Sequence, residues 1–332
     1  MIRKIALAAA AAAILATGAA EAEPTELRYA TAAPEGTPWG KFLNETVADI
    51  HKATDKLKIV PYFSSALGDE QTALRQVVRG RIDMSGQSGV ATSLIAPSFA
   101  LLNAPYLFDS PEQSDCMFDN HVRPIFEEKM QASGVVTLSW VEVGHSYTSS
   151  KEKIHTLEDI QGMKIRIPPT AASQFFYEEL GANGVPMGVV DMVPALKTGQ
   201  VNAITTSTVY GMAIGLPKLA PFTLVHRATH DIGTVTVSKR VWDGLDDEQK
   251  NALAIVDKRV NELRKGIRGA EQFLLGKAAE AGAPVYELPA AEKARWKEAA
   301  ARATSRLIEE IGGDAPEIWE KIQKAKAACL NT

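Results

Sequence analysis

Short apolar runs alternate with helical stripes along most of this chain. Leu27–Thr31 reads as a first strand. Thr37 stands before Pro38, and Trp39, Leu43, Val47 and Ile50 recur at helical spacing, which predicts a capped helix. Leu57–Phe63 is a second strand, Asp69–Arg79 a short helix closed by Gly80, and Arg81–Ser85 a third strand. Ser110 through Gln113 (SPEQ) is a capping box with proline in the first turn. Val135–Val143 is a long apolar strand, and Thr156–Ile160 makes one helical turn before Gly162. A short strand follows, with Met163, Ile165 and Ile167 on one face and Lys164 and Arg166 on the other. Pro168 and Pro169 stop it, because neither can donate to a ladder. Helices and strands then alternate through Thr170–Leu180, Gly184–Met187, Asp191–Thr198 and Val201–Thr205. Such alternation predicts α/β lobes with mostly parallel sheets.

Two longer patterns extend this picture. Residues 76–88 (QVVRGRIDMSGQS) and 195–207 (ALKTGQVNAITTS) both read as a helix, a glycine at its end, a short strand and small polar residues. One such unit in each half suggests two lobes of similar build, with Gln87 and Ser88 facing Thr205 and Thr206 across a shared crevice. Helix–glycine–strand is also ordinary α/β punctuation. Asp246 through Gln249 is another capping box, and no proline interrupts the chain until Pro284. Leu253, Val256, Val260, Leu263, Ile267, Phe273 and Leu274 keep a helical stripe, so a helix from Asp247 to about Ala279 would reach roughly 50 Å and lie across both lobes. Gly266 and Gly269 could bend it into two.

The beginning of the chain bears on compartment. Arg3 and Lys4 precede an apolar run from Ile5 to Leu15, and Ala20-Glu21-Ala22 has the small-x-small form of a cleavage site. Residues 1–22 therefore read as a signal peptide with the mature start at Glu23, and no cysteine there allows a lipid anchor. The formal net charge of −4 becomes −5 once Arg3, Lys4 and Glu21 are removed. A mildly acidic chain with no basic run gives no reason to expect nucleic acid. About 310 remaining residues exceed what one core usually serves, so two lobes are expected. The two cysteines, Cys116 and Cys329, can bridge in an oxidising compartment or stay as buried thiols; spacing alone does not decide.

Catalytic motifs are present only in fragments. Ser150 through Lys153 (SKEK) and Lys197 through Gly199 (KTG) match the pair used by penicillin-recognising serine acyl enzymes. Ser150, however, lies in a polar segment rather than at a helix start, and Lys197 ends a helix. Residues 85–89 (SGQSG) fall short of a nucleophile elbow because Val90 replaces the last glycine. His226 and His230 are four apart, but Thr223–Ala228 reads as strand, where residues four apart share a face yet stand about 13 Å from each other. No cofactor or metal is expected. Arg166 is the one residue with a ready ligand chemistry, a rigid fork for a planar carboxylate. A surface strand arginine paired with Glu158 or Asp159 is the competing account.

At this point a family resemblance enters. Residues 156–168, TLEDIQGMKIRIP, resemble the "tpeDlkGlKiRvp" signature of DctP-type solute-binding proteins, the extracytoplasmic receptors of TRAP (tripartite ATP-independent periplasmic) transporters. LGDE at 67–70, GRIDM at 80–84, NAPYLF at 103–108, VPM at 185–187, VPALKTG at 193–199 and Trp242–Gln249 are similar to further family segments in order and spacing. The resemblance covers nearly the whole mature chain. It implies a two-lobed periplasmic-binding-protein fold, with crossing strands, a long helix spanning both lobes and a ligand cleft between them. Lobe I is expected at 23–143 plus 231–265, lobe II at 144–230 plus 266–332. The resemblance also implies that Arg166 pairs with a ligand carboxylate.

Two positions depart from the family pattern. Ser146 stands where many members place a second arginine, and Thr206 where a ligand-contacting asparagine is common. Losing a cation and an amide argues against a C4-dicarboxylate and for a monocarboxylate, or an acid with a hydroxyl or apolar tail. Trp39, Gln87 and Ser88 are candidate contacts from the first lobe, and Tyr210 from the second, beside Ser146 and Thr206. The expected function is a periplasmic receptor, monomeric and without covalent chemistry, that delivers a small carboxylate to small and large membrane permease subunits. A secreted serine hydrolase using Ser150 and Lys153, and a receptor presenting its closed form to a sensor kinase, are the alternatives.

Overall fold

The computed structural model describes residues 23–330, so the expected signal peptide lies outside the described residues. Ten strands are found: β1 Thr25–Thr31, β2 Leu57–Tyr62, β3 Met84–Gln87, β4 Val135–Ser150, β5 Lys164–Ile167, β6 Asn183–Pro186, β7 Ala203–Ser207, β8 Phe222–Leu224, β9 His230–Ser238 and β10 Val285–Tyr286. Their order is β2-β1-β3-β9-β4-β7-β5-β6, with β8 also on β4 and β10 on β8. The first part of β4 pairs with β9, from Val135 opposite Ser238 to His145 opposite His230. Its last residues, Ser146 to Ser150, pair with β7, and Thr148 to Ser150 also with β8. One 16-residue strand thus serves both lobes. Two details of the expectation change. The strand does not end at Val143 but runs on through Gly144 to Ser150. The sheets are mixed rather than mostly parallel: β1, β2 and β3 are parallel, as are β5, β6 and β7, whereas every pair made by β4 is antiparallel. The reason is the crossing, since β4 leaves one lobe beside β9, which returns to it.

Helices cover both faces of each sheet. Thr37 caps Pro38–Ala53, its hydroxyl accepting the Gly40 amide at 3.3 Å. The box at Asp246 and Gln249 closes reciprocally at the start of Asp247–Leu253. The long brace is present in three pieces, Asp247–Leu253, Ile255–Lys258 and Val260–Glu280. Its breaks fall at Ala254 and Arg259 rather than at the glycines. The 21-residue piece Val260–Glu280, about 32 Å long, packs on Pro38–Ala53 and β4 and also on the helix Thr208–Ala213 and β10, so it touches both lobes. At Gly144 the backbone takes φ 109°, and a Cβ there would lie 2.5 Å from Glu271 Oε1 of this helix. Only glycine lets the brace approach the crossing strand so closely.

The far end of the chain packs with first-lobe residues. Ala315, Ile318, Ile322 and Ala325, on the last helix Ala315–Ala328, join Phe99, Phe126 and Trp140 in a first-lobe core. Their apolar stripe is covered there by Pro111–Met117 and the turn Pro97–Asn103. Cys329 follows that helix and is bonded to Cys116, the Cα atoms 5.9 Å apart. The helix Ala290–Ile311 packs on the second lobe through Trp296, Ala299 and Ala303, around Ile165, Ile167 and Phe176, while Leu307 near its end joins the first-lobe core.

Candidate ligand-binding site

A cavity of about 140 Å³ is lined by residues of both lobes, among them the ends of β1 and β3 on one side and β5, β7 and the helices Ala171–Glu179 and Thr208–Ala213 on the other. Arg166, Gln87, Ser88, Ser146, Thr206, Trp39 and Tyr210 all line it. They are not equally available. Trp39 donates its indole N–H to the Glu142 carbonyl at 2.9 Å, leaving its ring to form wall. Gln87 donates to Thr234 and Thr236 and accepts from Ser85, so its amide is fully engaged within the first sheet. Ser88 donates both its hydroxyl, at 2.6 Å, and its amide to Glu70. Ser146 accepts the Thr229 amide at 3.0 Å, which leaves its own proton unassigned.

Arg166 is 2 % exposed and forms no ion pair among the described residues. Its Nε and Nη2 donate to the Met187 carbonyl at 3.0 and 2.7 Å, and Nη1 donates to the Thr205 carbonyl at 2.7 Å. A guanidinium has five N–H groups, so two remain for a ligand. Burial destabilises the charge and lowers its pKa to about 10, against the field of Glu70. The competing pairing with Glu158 does not occur: Glu158 pairs with Arg295, and the Asp159 carboxylate caps His155 and Thr156.

A second donor stands beside it. His226 Nδ1 accepts the Ala228 amide, and burial holds the imidazole neutral, its pKa near 3, so the proton sits on Nε2. Nε2 donates to Thr148 Oγ1 at 3.1 Å, Thr148 lies 2.7 Å from Thr205 Oγ1, and that lies 2.5 Å from the Tyr177 hydroxyl. With His226 as the donor to Thr148, the arrangement that leaves a free proton only at the cavity end runs His226 to Thr148 to Thr205 to Tyr177. Tyr177 then accepts from Thr205 and keeps its own proton for the cavity it lines. Neither Tyr177 nor His226 carried a recognisable signal in sequence, because a hydroxyl ladder has no periodicity or spacing to read.

The opposite wall is acidic. Glu70, at the start of the helix Glu70–Val78, and Asp231, at the start of β9, both line the cavity. Burial raises the Glu70 carboxyl, and burial together with Glu70 pushes Asp231 up to about 7. Below them the crossing strands are pinned: His145 and His230 stack with ring centres 4.4 Å apart, and Arg268 of the brace holds Glu142 at 2.8 Å. Burial alone would raise Glu142, but His230 and Arg268 outweigh it and hold the carboxyl below its usual range.

The fragments of catalytic motif stay apart from this cavity. Ser150 Oγ is fully buried and lies against Met163 Sδ, whereas Lys153 sits over the Tyr286 ring, so the two do not meet. Among the described residues no helix is long and apolar enough to cross a membrane.

Comparison with known proteins follows the same lines. A family profile, "Bacterial extracellular solute-binding protein, family 7" (DctP), matches residues 29–310. The 2,3-diketo-L-gulonate-binding periplasmic protein YiaO of Escherichia coli is 26% identical over 248 residues, covering 74% of this chain and 75% of its own. The C4-dicarboxylate-binding periplasmic protein DctP of Rhodobacter capsulatus is 24% identical over 297 residues, 88% of this chain and 89% of its own. Among solved structures, the sugar acid binding protein DctPAm of Advenella mimigardefordensis, in complex with galactonate, superimposes with a TM-score of 0.86 at 21% identity, covering 91% of this chain and 99% of the other.

Proposed function

The chain belongs to the bacterial extracellular solute-binding protein family 7, and from that premise we propose that Arg166 clamps the carboxylate of a small organic acid in the cavity between the lobes. The receptor then hands its ligand to the membrane subunits of a TRAP transporter. The observation that carries the reading is a buried guanidinium without an acidic partner and with two N–H groups uncommitted. Tyr177, Thr206, Ser146 and Tyr210 supply further polar contacts on the same side, and Trp39 supplies an apolar face. Gln87 and Ser88 act one step back, holding the first sheet and Glu70 in place. A cleavable leader ending near Ala22 and a periplasmic, monomeric receptor complete the proposal. Its lobes are 23–143 with 231–265, and 144–230 with 266–311, while the last helix rides on the first lobe.

The test is a thermal-shift screen over organic acids, repeated with Arg166→Met. At least one carboxylate is expected to stabilise the wild type and to lose that effect in the variant. A hit whose shift is the same in both proteins would remove Arg166 from the role.

A further inference from the structure

The cavity is polarised. Its second-lobe side presents donors, the two N–H groups of Arg166 and the hydroxyl of Tyr177, while its first-lobe side presents Glu70 and Asp231. Asn103, 5 % exposed and lining the same cavity, has neither its Oδ1 nor its Nδ2 partnered. Asn103 and Asp231 close together over Gly89, where a Cβ would meet Oδ1 of each at 2.9 Å. The glycine makes the space that lets both side chains reach the cavity from different elements, the turn Pro97–Asn103 and β9. Asp231 accepts one hydrogen bond among the described residues, from the Gly89 amide at 3.1 Å, which leaves acceptor capacity facing the cavity. No ion pair joins either acid to Arg166, so the ligand's carboxylate end and its far end meet opposite chemistries.

We infer that Asp231 and Asn103, with Glu70, form an acceptor wall that selects a hydroxylated monoacid and rejects the matching diacid. The inference rests on the organic-acid reading of the cavity. A terminal hydroxyl donates its one proton to Asp231 and accepts from the Asn103 amide. A terminal carboxylate only accepts, and it would bring a further negative charge up to Glu70 and Asp231, whose ionisation burial already disfavours, in a site of low dielectric. An ammonium only donates, leaves the Asn103 Nδ2 protons without an acceptor and gains no counter-charge where the raised Glu70 and Asp231 carboxyls keep their protons, so a hydroxyl matches this wall better than an amine.

Titration calorimetry on the purified mature protein tests this with erythronate, galactonate and gulonate against meso-tartrate, galactarate and glucarate, and with 4-aminobutyrate and 6-aminohexanoate. The expected result is a hydroxy acid bound at least tenfold more tightly than its diacid and than either amino acid. Asp231→Asn, which keeps the shape and removes the charge, should shrink the preference over the diacid at least threefold. Glu70→Gln is the second variant should the first not fold, and the wild-type ratio stands without either. A diacid or an amino acid bound as tightly as the hydroxy acid overturns the inference, and so does an unchanged ratio in a folded Asp231→Asn. If no acid of any kind binds, the organic-acid reading itself fails; if monoacid and diacid bind alike through Arg166, only the acceptor wall fails.

Discussion

Replacing Arg166 with methionine separates a ligand clamp from a structural arginine. In the free protein two terms oppose each other. The guanidinium is buried without a counter-charge, and burial lowers its pKa to about 10, a penalty of about 3 kcal/mol on the charged form. Methionine removes that penalty and fills similar volume. It also leaves the Met187 and Thr205 carbonyls without their donor, at about 1–3 kcal/mol for each that water cannot reach. The sum predicts a ligand-free stability between about 1 kcal/mol above and about 3 kcal/mol below the wild type in denaturant unfolding. Binding behaves differently, because nothing else on that wall can replace a charged fork. Stranding a buried carboxylate costs about 3–5 kcal/mol, which is a loss of roughly 10²–10³ in affinity by calorimetry. Lysine should fail as well, since a single ammonium cannot reach the Met187 carbonyl just after β6, the Thr205 carbonyl on β7 and a ligand together. An affinity within threefold of wild type, beside an unfolding free energy lowered by several kcal/mol, would show that Arg166 serves the fold and not the ligand.

Three further outcomes follow from single features. The Cys116–Cys329 bridge closes a loop of 213 residues, so Cys329→Ser should lower unfolding free energy by about 2–5 kcal/mol; identical denaturation curves would mean that the last helix is held by packing alone. Asp231 has a folded-state pKa near 7 against 3.8 unfolded, so its stabilising proton is present below pH 4 and lost as pH rises toward 7. His226, depressed to about 3 from 6.5, gives stability above pH 6.5 that is lost as pH falls toward 3. The difference in stability between Asp231→Asn and wild type, ligand-free, should therefore move in the variant's favour between pH 4 and 7; a flat difference contradicts the assigned environment. Tyr177→Phe should weaken ligand binding about tenfold, the worth of one charge-assisted hydrogen bond; unaltered affinity would mean that its proton does not face the ligand.

What could be read from the sequence divides along physical lines. Apolar periodicity and caps located the helices at Pro38 and Asp246, and the helix–glycine–strand units reappear as Glu70–Val78 with β3 and Met192–Thr198 with β7. The crossing part of β4 escaped because Ser146, Thr148, Ser149 and Ser150 are buried hydroxyls, so hydrophobic alternation stops where the strand does not. The third strand was read early, at Arg81–Ser85 instead of Met84–Gln87, for the same reason: its core-facing residues are small and polar. Arg166 and the other six candidates gather at one cavity, yet sequence could not tell which polar atoms are already bonded within the protein. Glu70 and Asn103 stood inside the LGDE and NAPYLF segments without an evident role, and Asp231 stood in no pattern at all. Their meaning depends on distant residues, Gly89 and Ser88 among them, that only the fold brings together.

The polarity of the cavity also constrains how the lobes couple. Arg166 and Tyr177 belong to second-lobe elements, whereas Glu70, Asn103 and Asp231 belong to first-lobe ones, and the segments between them are β4 and β9. Those strands are stiffened where they cross, by the stacked histidines and by Glu142 held to the brace through Arg268. A ligand can shift the balance of lobe angles only by contacts made in one state and absent in the other. An acid long enough to hold Arg166 with its carboxylate and Asp231 with a hydroxyl would touch both lobes at once and so favour the arrangement that brings the two walls within its reach. A simple short carboxylate engages one wall, binds open and closed forms alike, and leaves the population where it was.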